Sequence, residues 1–117
     1  MRKKILILDD DEDIRALLEF ILHRAGFETM SSGDPDMLNK AINAGVNLIL
    51  MDNRLGNGYG KDFCRRLKEN PVTQYLPVIL VSGNANPEQL QIECKADAFL
   101  VKPFDIDNLL KMIEKFI

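Results

Sequence analysis

The sequence predicts a doubly wound α/β domain, a parallel sheet covered by helices on both faces. Three observations carry that expectation. Short apolar runs such as "ILIL" (residues 5–8), "NLILM" (47–51) and "VILV" (78–81) lack polar alternation, as strands buried on both faces do. Segments with apolar residues at helical spacing stand between these runs, so that strand and helix alternate along the chain. Parallel neighbours cannot be joined by a tight hairpin, so each intervening helix is a crossover that covers one face of the sheet.

The elements follow in order. After the first strand, Ile14, Leu17, Leu18, Ile21 and Ala25 form a helical stripe with acidic residues at its front and Gly26 as its stop. Residues 27–32 read as a weaker strand. Asp34 and Pro35 supply an N-cap and a first-turn proline for a helix carrying Met37, Leu38, Ala41 and Ile42, which Gly45 closes. "VNLILMD" is the third strand and ends on Asp52. The glycine-rich "NRLGNGYG" follows, then a helix with Tyr59, Phe63 and Leu67 on one face. "PVILVS" ends on Ser82, a short helix spans about residues 87–94, and "AFLVK" ends on Lys102. The last helix starts near residue 106 with Leu109, Leu110 and Ile113 inward.

At 117 residues and 46% hydrophobic composition, the chain suits one globular domain with a single core. The net charge of −3 comes from 18 acidic and 15 basic residues spread along the chain, which argues against a polybasic grip on nucleic acid or anionic lipid. Neither a nucleic acid nor a membrane is an expected direct partner. No apolar run approaches the ~20 residues that span a bilayer, and "MRKKILILDDD" turns acidic before a signal-peptide core forms, so the expected location is the cytoplasm. Cys64 and Cys94 lack ligand-like spacing and read as reduced, partly buried thiols. His23, the single histidine, sits mid-helix and reads as a surface or half-buried helix residue.

In sheets of this class the cleft lies beyond the carboxyl ends of the strands. Asp9 and Asp10 stand at that end of the first strand, Asp52 of the third, Ser82 of the fourth and Lys102 of the fifth. Unpaired carboxylates about 4 Å apart repel by roughly 4 kcal/mol at an effective dielectric of about 20, so the run "DDDED" (9–13) needs a positive partner. Asp11, Glu12 and Asp13 are explained as first-turn acids favoured by the helix dipole. Asp9, Asp10 and Asp52 converge as an oxygen-ligand site of the kind Mg²⁺ takes. An ionised aspartate beside Mg²⁺ can attack phosphorus to give an acyl phosphate, and such transfer needs mainly positioning and charge neutralisation. Lys102 offers an ammonium and Ser82 a hydroxyl donor. Taken singly, Lys102 is a strand-end surface charge and Ser82 a turn residue.

Four stretches, "ILILDDDEDIRALL", "NLILMDNRLGNGYG", "LPVILVSG" and "DAFLVKPF", resemble the receiver domain of two-component response regulators of the chemotaxis-regulator type, in order and over nearly the whole chain. The resemblance implies one receiver domain over residues 1–117 and a flavodoxin-like sheet of strand order 2-1-3-4-5. It implies that Asp9 and Asp10 organise Mg²⁺ with Asp52 and the Arg54 backbone carbonyl, that Asp52 accepts the phosphoryl group, and that Ser82 and Lys102 bind it. It further implies a cis Lys102–Pro103 peptide, Phe99 as a switch aromatic that follows Ser82, and Arg54 and Asn84 as residues that tune phosphoryl lifetime. The implied protein is a signalling domain that catalyses its own phosphorylation and dephosphorylation. Its donor is a phosphohistidine on a sensor histidine kinase or histidine phosphotransfer protein, docking on the first helix and the loop after the fifth strand. Its signal leaves through the face of the fourth helix, fifth strand and fifth helix towards an output domain or downstream protein.

Several positions depart from the family pattern. Gly56 replaces a usual proline, which predicts a looser loop, and Lys95 replaces a usual glycine. The stretch from Ser82 to Lys102 is shorter than is common, which predicts a short or irregular fourth helix. Met112 stands where DNA-binding relatives place an arginine used in dimer pairing, which weakens without excluding a phosphorylation-dependent homodimer. Three other readings compete with this one. A haloacid-dehalogenase-type hydrolase would carry its nucleophile after the first strand in a DxDx[TV] motif that "DDDED" does not supply. A nucleotide loop at Gly56, Gly58 and Gly60 lacks the GxGxxG register. The third is a degenerate receiver acting only as an interaction module.

Overall fold

The structure is a computed structural model and describes residues 2–55, 58–83 and 86–117. In chain order the strands are β1 (Lys4–Leu8), β2 (Glu28–Ser32), β3 (Leu48–Asp52), β4 (Arg54–Leu55), β5 (Gly58–Tyr59), β6 (Val78–Ser82) and β7 (Ala98–Val101). The helices are α1 (Glu12–Arg24), α2 (Met37–Asn43), α3 (Gly60–Glu69), α4 (Pro87–Cys94) and α5 (Ile106–Glu114). Five strands form one parallel sheet in the order β2-β1-β3-β6-β7. Counting that sheet's strands alone, this is the expected order 2-1-3-4-5.

Side chains alternate across the sheet with period two. Leu6, Leu8, Ile49, Met51, Val78 and Leu80 face one layer with Leu38 and Ala41 of α2 and Cys64 and Leu67 of α3. Ile5, Ile7, Leu48, Leu50, Ile79 and Val81 face the other, with Leu18 and Leu22 of α1 and Leu109 and Ile113 of α5. Burial of each such side chain contributes roughly 1.5–3 kcal/mol, so the double-sided burial of β1, β3 and β6 sets the register firmly. Leu8 lies opposite Met51, Asp52 opposite Val81 and Ser82 opposite Val101. The carboxyl ends of the central strands are therefore brought to one edge.

Four local expectations are corrected. In α1, Leu17 is 51% exposed, and Ala25 is the exposed C-cap, while Leu22 is fully buried. The sheet covers only the Leu18, Ile21 and Leu22 side of that helix. The regular part of α2 starts at Met37 rather than at Pro35. Asp34 and Pro35 open a tight turn in which the Met37 and Leu38 amides donate to the Asp34 and Pro35 carbonyls at 3.0 Å, and the Asp34 carboxylate takes the Asp36 amide at 2.9 Å. Tyr59, expected on the α3 face with Phe63 and Leu67, instead precedes that helix and is exposed, pairing antiparallel with Arg54 as Leu55 does with Gly58, a ribbon that sequence pattern did not show; Gly56 lies outside the described residues. Cys64 and Cys94 are not joined in a disulfide, and they are fully rather than partly buried. The Cys64 thiol donates to the Cys94 carbonyl at 3.5 Å, and contact with the Cys94 thiol together with burial pushes it up.

At the edge opposite the cleft, the Lys68 ammonium binds the Asp97 carboxylate at 2.6 Å and the Leu76 carbonyl at 2.9 Å, and Asp97 also accepts the Val78 amide at 2.8 Å. This joins α3 to the starts of β6 and β7. The helix α4 is short, as expected. After it, Lys95 adopts φ 57°, a left-handed conformation that a residue with a Cβ occupies at a cost of about 1–2 kcal/mol. Glycine relieves that cost and gives back part of it as chain entropy. Lys95→Gly is therefore expected to stabilise the protein by roughly 0.5–1 kcal/mol, read as a higher urea midpoint at unchanged slope. A lower midpoint would contradict a left-handed Lys95.

Candidate functional site

The site is built where the chain leaves the buried strands. Asp9 follows β1 and is 4% exposed. Its amide donates to the Ser32 carbonyl at 3.2 Å, which extends the pairing with β2, and its Oδ1 accepts the Asp11 amide at 2.9 Å. Asp11 in turn caps α1, accepting the amides of Asp13 at 2.9 Å and Ile14 at 3.3 Å. Glu12 and Asp13 occupy the first turn, where the helix dipole favours acids. The acidic run is thus divided between one buried carboxylate, the exposed loop residue Asp10, one cap and exposed first-turn charges.

Asp52 ends β3, and the next residue holds its main chain. The Asn53 amide donates to the Val81 carbonyl at 2.9 Å, its carbonyl accepts the Gly60 amide at 2.7 Å, and its Oδ1 accepts the Lys61 amide at 3.0 Å. A Cβ on Gly60 would lie 2.4 Å from the Asp52 carbonyl oxygen, so the start of α3 packs on Asp52 only with glycine there. Ser82 ends β6 and is buried, and its carbonyl accepts the Lys102 amide at 2.9 Å. The Lys102 ammonium lies 3.5 Å from Asp9 Oδ2 and 3.4 Å from Asp52 Oδ1. One cation is shared by two inward carboxylates.

That sharing leaves Asp52 short of compensation. Burial, and secondly the Asp9 charge, push its carboxyl up from the ordinary aspartate value, against the opposing pull of Lys102 and the Asn53 amide. Beside it is a cleft of about 340 Å³ lined by Asp52, Asn53, Arg54, Ser82, Gly83 and Lys102. Oxygen donors of this kind, with excess negative charge, fit a hard divalent cation. Among the described residues, however, no three acidic, cysteine or histidine side chains are grouped to hold an ion by themselves. Asp9 and Asp52 converge on Lys102, whereas Asp10 is exposed on the loop.

The other singled-out residues fall as follows. Arg54 is exposed on β4 and lines the cleft, and Asn84 lies outside the described residues. Phe99 sits on β7 opposite Leu80, half-buried against the α2 and α3 side of the core, and also lines a groove of about 730 Å³ with Pro103, Phe104 and Met112. The Lys102–Pro103 peptide is cis. His23 is exposed and hydrogen-bonds Thr29 Oγ1 at 2.8 Å. Sequence reasoning missed Asn53, Gly60 and Arg15, whose Nη1 donates to the Asp9 carbonyl at 2.7 Å. For Arg15 a signal existed: it is the one basic residue between Lys4 and His23.

Residues 5–114 match the family described as the response regulator receiver domain, and the chain belongs to that family. It is 30% identical over 117 residues to the phosphate regulon transcriptional regulatory protein PhoB of Escherichia coli, covering 97% of this chain and 51% of that protein. The chain thus spans about half the length of the curated relatives it matches. Chemotaxis protein CheY4 of Vibrio cholerae superposes with a TM-score of 0.89 at 27% identity, covering 100% of both chains. The receiver domain of sensor histidine kinase PA1611 from Pseudomonas aeruginosa, solved with magnesium coordinated in its active-site cleft, shares the fold at a TM-score of 0.87 and 21% identity, over 99% of this chain and 98% of that one. The expected family and fold hold, and with them phosphorylation-based signalling as the family's role. Among the described residues, no helix is long and apolar enough to cross a membrane.

A carboxyl raised by folding makes the native state bind more protons than the unfolded chain, so its contribution to stability falls as pH rises through that interval. At neutral pH the ionised Asp52 costs stability. In chelator-treated buffer, Asp52→Asn is expected to melt above the wild type at pH 7, the gap closing below the ordinary aspartate value of about 3.9, where both states are protonated. A lower melting temperature for the variant at pH 7 would mean that the Lys102 ion pair outweighs burial.

Proposed function

We propose that this chain accepts a phosphoryl group on Asp52 from a phosphohistidine of a sensor histidine kinase or histidine phosphotransfer protein, and passes the change to an output domain or downstream protein. The observation that carries this reading is the Lys102 ammonium held between Asp9 and Asp52 at the mouth of a cleft that Ser82 also lines. We read residues 1–117 as one receiver domain acting in the cytoplasm, a signalling domain that catalyses its own phosphorylation and dephosphorylation.

An Asp52 oxygen forms the bond to phosphorus as the phosphorus–nitrogen bond to histidine breaks, and the leaving imidazole keeps the electron pair and takes a proton. Burial makes the ionised Asp52 more basic, which strengthens it as a nucleophile. The Lys102 ammonium is placed to follow the negative charge from the carboxylates to a phosphoryl oxygen, and the Ser82 hydroxyl to donate to another. Asp9, Asp10, Asp52 and the Arg54 carbonyl are the residues that would hold Mg²⁺, which supplies neutralisation between carboxylates and phosphoryl oxygens. The magnesium in the cleft of the Pseudomonas relative supports that choice of ion. Arg54, which lines the cleft, and Asn84 are the residues we read as tuning how long the acyl phosphate lasts.

Movement of Ser82 towards the phosphoryl group loosens β6 beside β7, and Phe99 responds by changing its burial. That re-shapes the face of α4, β7 and α5, a two-state element biased by a local charge change. A phosphorylation-dependent homodimer would be a further consequence of that change.

Intact mass after incubation with a small acyl phosphate tests the acceptor. The wild type is expected to gain one phosphoryl group only with Mg²⁺ present, and Asp52→Asn none. No gain in the wild type would favour a pure interaction module. Asp10→Ala is expected to weaken Mg²⁺ binding by removing a charged ligand, and an unchanged titration would take Asp10 out of the ligand set.

A further inference from the structure

The loop that carries Asp9 and Asp10 is clamped by a side chain to which the phosphoryl-transfer reading gives no part. Arg15 lies on α1, four residues beyond the Asp11 cap, and its guanidinium folds back so that Nη1 donates to the Asp9 carbonyl at 2.7 Å. The same main chain is held from β2 by the bond from the Asp9 amide to the Ser32 carbonyl. Next to Ser32, a Cβ on Gly33 would stand 3.0 Å from Arg15 Nη1 and 3.4 Å from the Asp9 carbonyl oxygen. The glycine thus leaves the room in which guanidinium and carbonyl meet. With its backbone held on both sides, the Asp9 carboxylate is aimed at Lys102, and through Lys102 at Asp52.

We propose that Arg15 is a positioning residue for the cation site: through the Asp9 main chain it fixes the direction of the Asp9 carboxylate, with Gly33 as the socket that admits it. This rests on the reading that the site takes Mg²⁺. The two things a guanidinium can do here have opposite signs. As a nearby positive charge it opposes a second cation, so its removal tightens Mg²⁺ binding. As a clamp it orders a ligand, so its removal weakens binding, as loss of partners around ligating groups does.

The experiment is a Mg²⁺ titration of the wild type, Arg15→Ala, Arg15→Lys and Gly33→Ala, followed by amide resonances. Hydrogen exchange of the Asp11 amide, which donates to Asp9 Oδ1, is measured alongside in the metal-free proteins. Arg15→Ala is expected to weaken Mg²⁺ about tenfold and to speed Asp11 exchange. Arg15→Lys should restore most of the affinity, because a single donor to a carbonyl needs no planar fork. Gly33→Ala keeps every charge but crowds the guanidinium, and should weaken Mg²⁺ in the same direction, which carries the test if Arg15→Ala fails to fold. Equal or tighter Mg²⁺ binding in the Arg15→Ala or Gly33→Ala protein overturns the proposal. A wild type that binds no Mg²⁺ would instead sink the phosphoryl-transfer reading, and unchanged Asp11 exchange in the metal-free Arg15→Ala protein would then sink the clamp as well.

Discussion

The Lys102 ammonium, 3.5 Å from Asp9 and 3.4 Å from Asp52, is the contact around which the rest of the molecule is arranged. Its partners come from different strands, and Lys102 and Asp9 are 93 residues apart in the chain. They meet because β1, β3, β6 and β7 are aligned in parallel register and each polar group sits at or just past the end of its strand. A slip of one residue in any of these strands would turn its apolar side chains to the wrong face, so core packing fixes the site's geometry.

The compensation is incomplete. One ammonium serves two carboxylates in a partly desolvated cleft, and burial, then repulsion from Asp9, push the Asp52 carboxyl up from the ordinary aspartate value. A surplus of negative charge held rigidly is a reservoir that binding of a cation releases. The acids nearby are kept from adding to it: Asp11 is engaged by two α1 amides, while Glu12 and Asp13 are exposed in the first turn of that helix. The run "DDDED" is therefore divided among separate ends: Asp9 meets Lys102 from the end of β7, Asp10 is exposed on the loop, and the rest serve α1, while Arg15 holds the Asp9 main chain.

How far each part was legible depended on the range of the interaction. The apolar runs of β1, β3 and β6 and their polar ends could be read because burial on both faces leaves continuous hydrophobic strands. The stops at Gly26 and Gly45 could be read because both take the left-handed backbone, φ 95° and 78°. Leu17 and Leu18 are alike in sequence, and only the position of the sheet decides that Leu18 is buried and Leu17 half exposed. Asp34 looked like a helix cap and instead caps a turn, because capping chemistry is the same in both.

By itself the sequence determined the alternation of the main sheet's five strands with the helices, the edge at which Asp9, Asp52, Ser82 and Lys102 gather, and the family, since all of these follow from local pattern and motifs. Only the tertiary structure decided that Asp9 and Asp52 share one ammonium while Asp10 stays exposed, that Gly60 is required by the Asp52 carbonyl, and that Arg15 clamps Asp9. These are contacts of side chains with backbone atoms of distant residues. They have no periodicity to announce them, because they exist only once the sheet has set the distances.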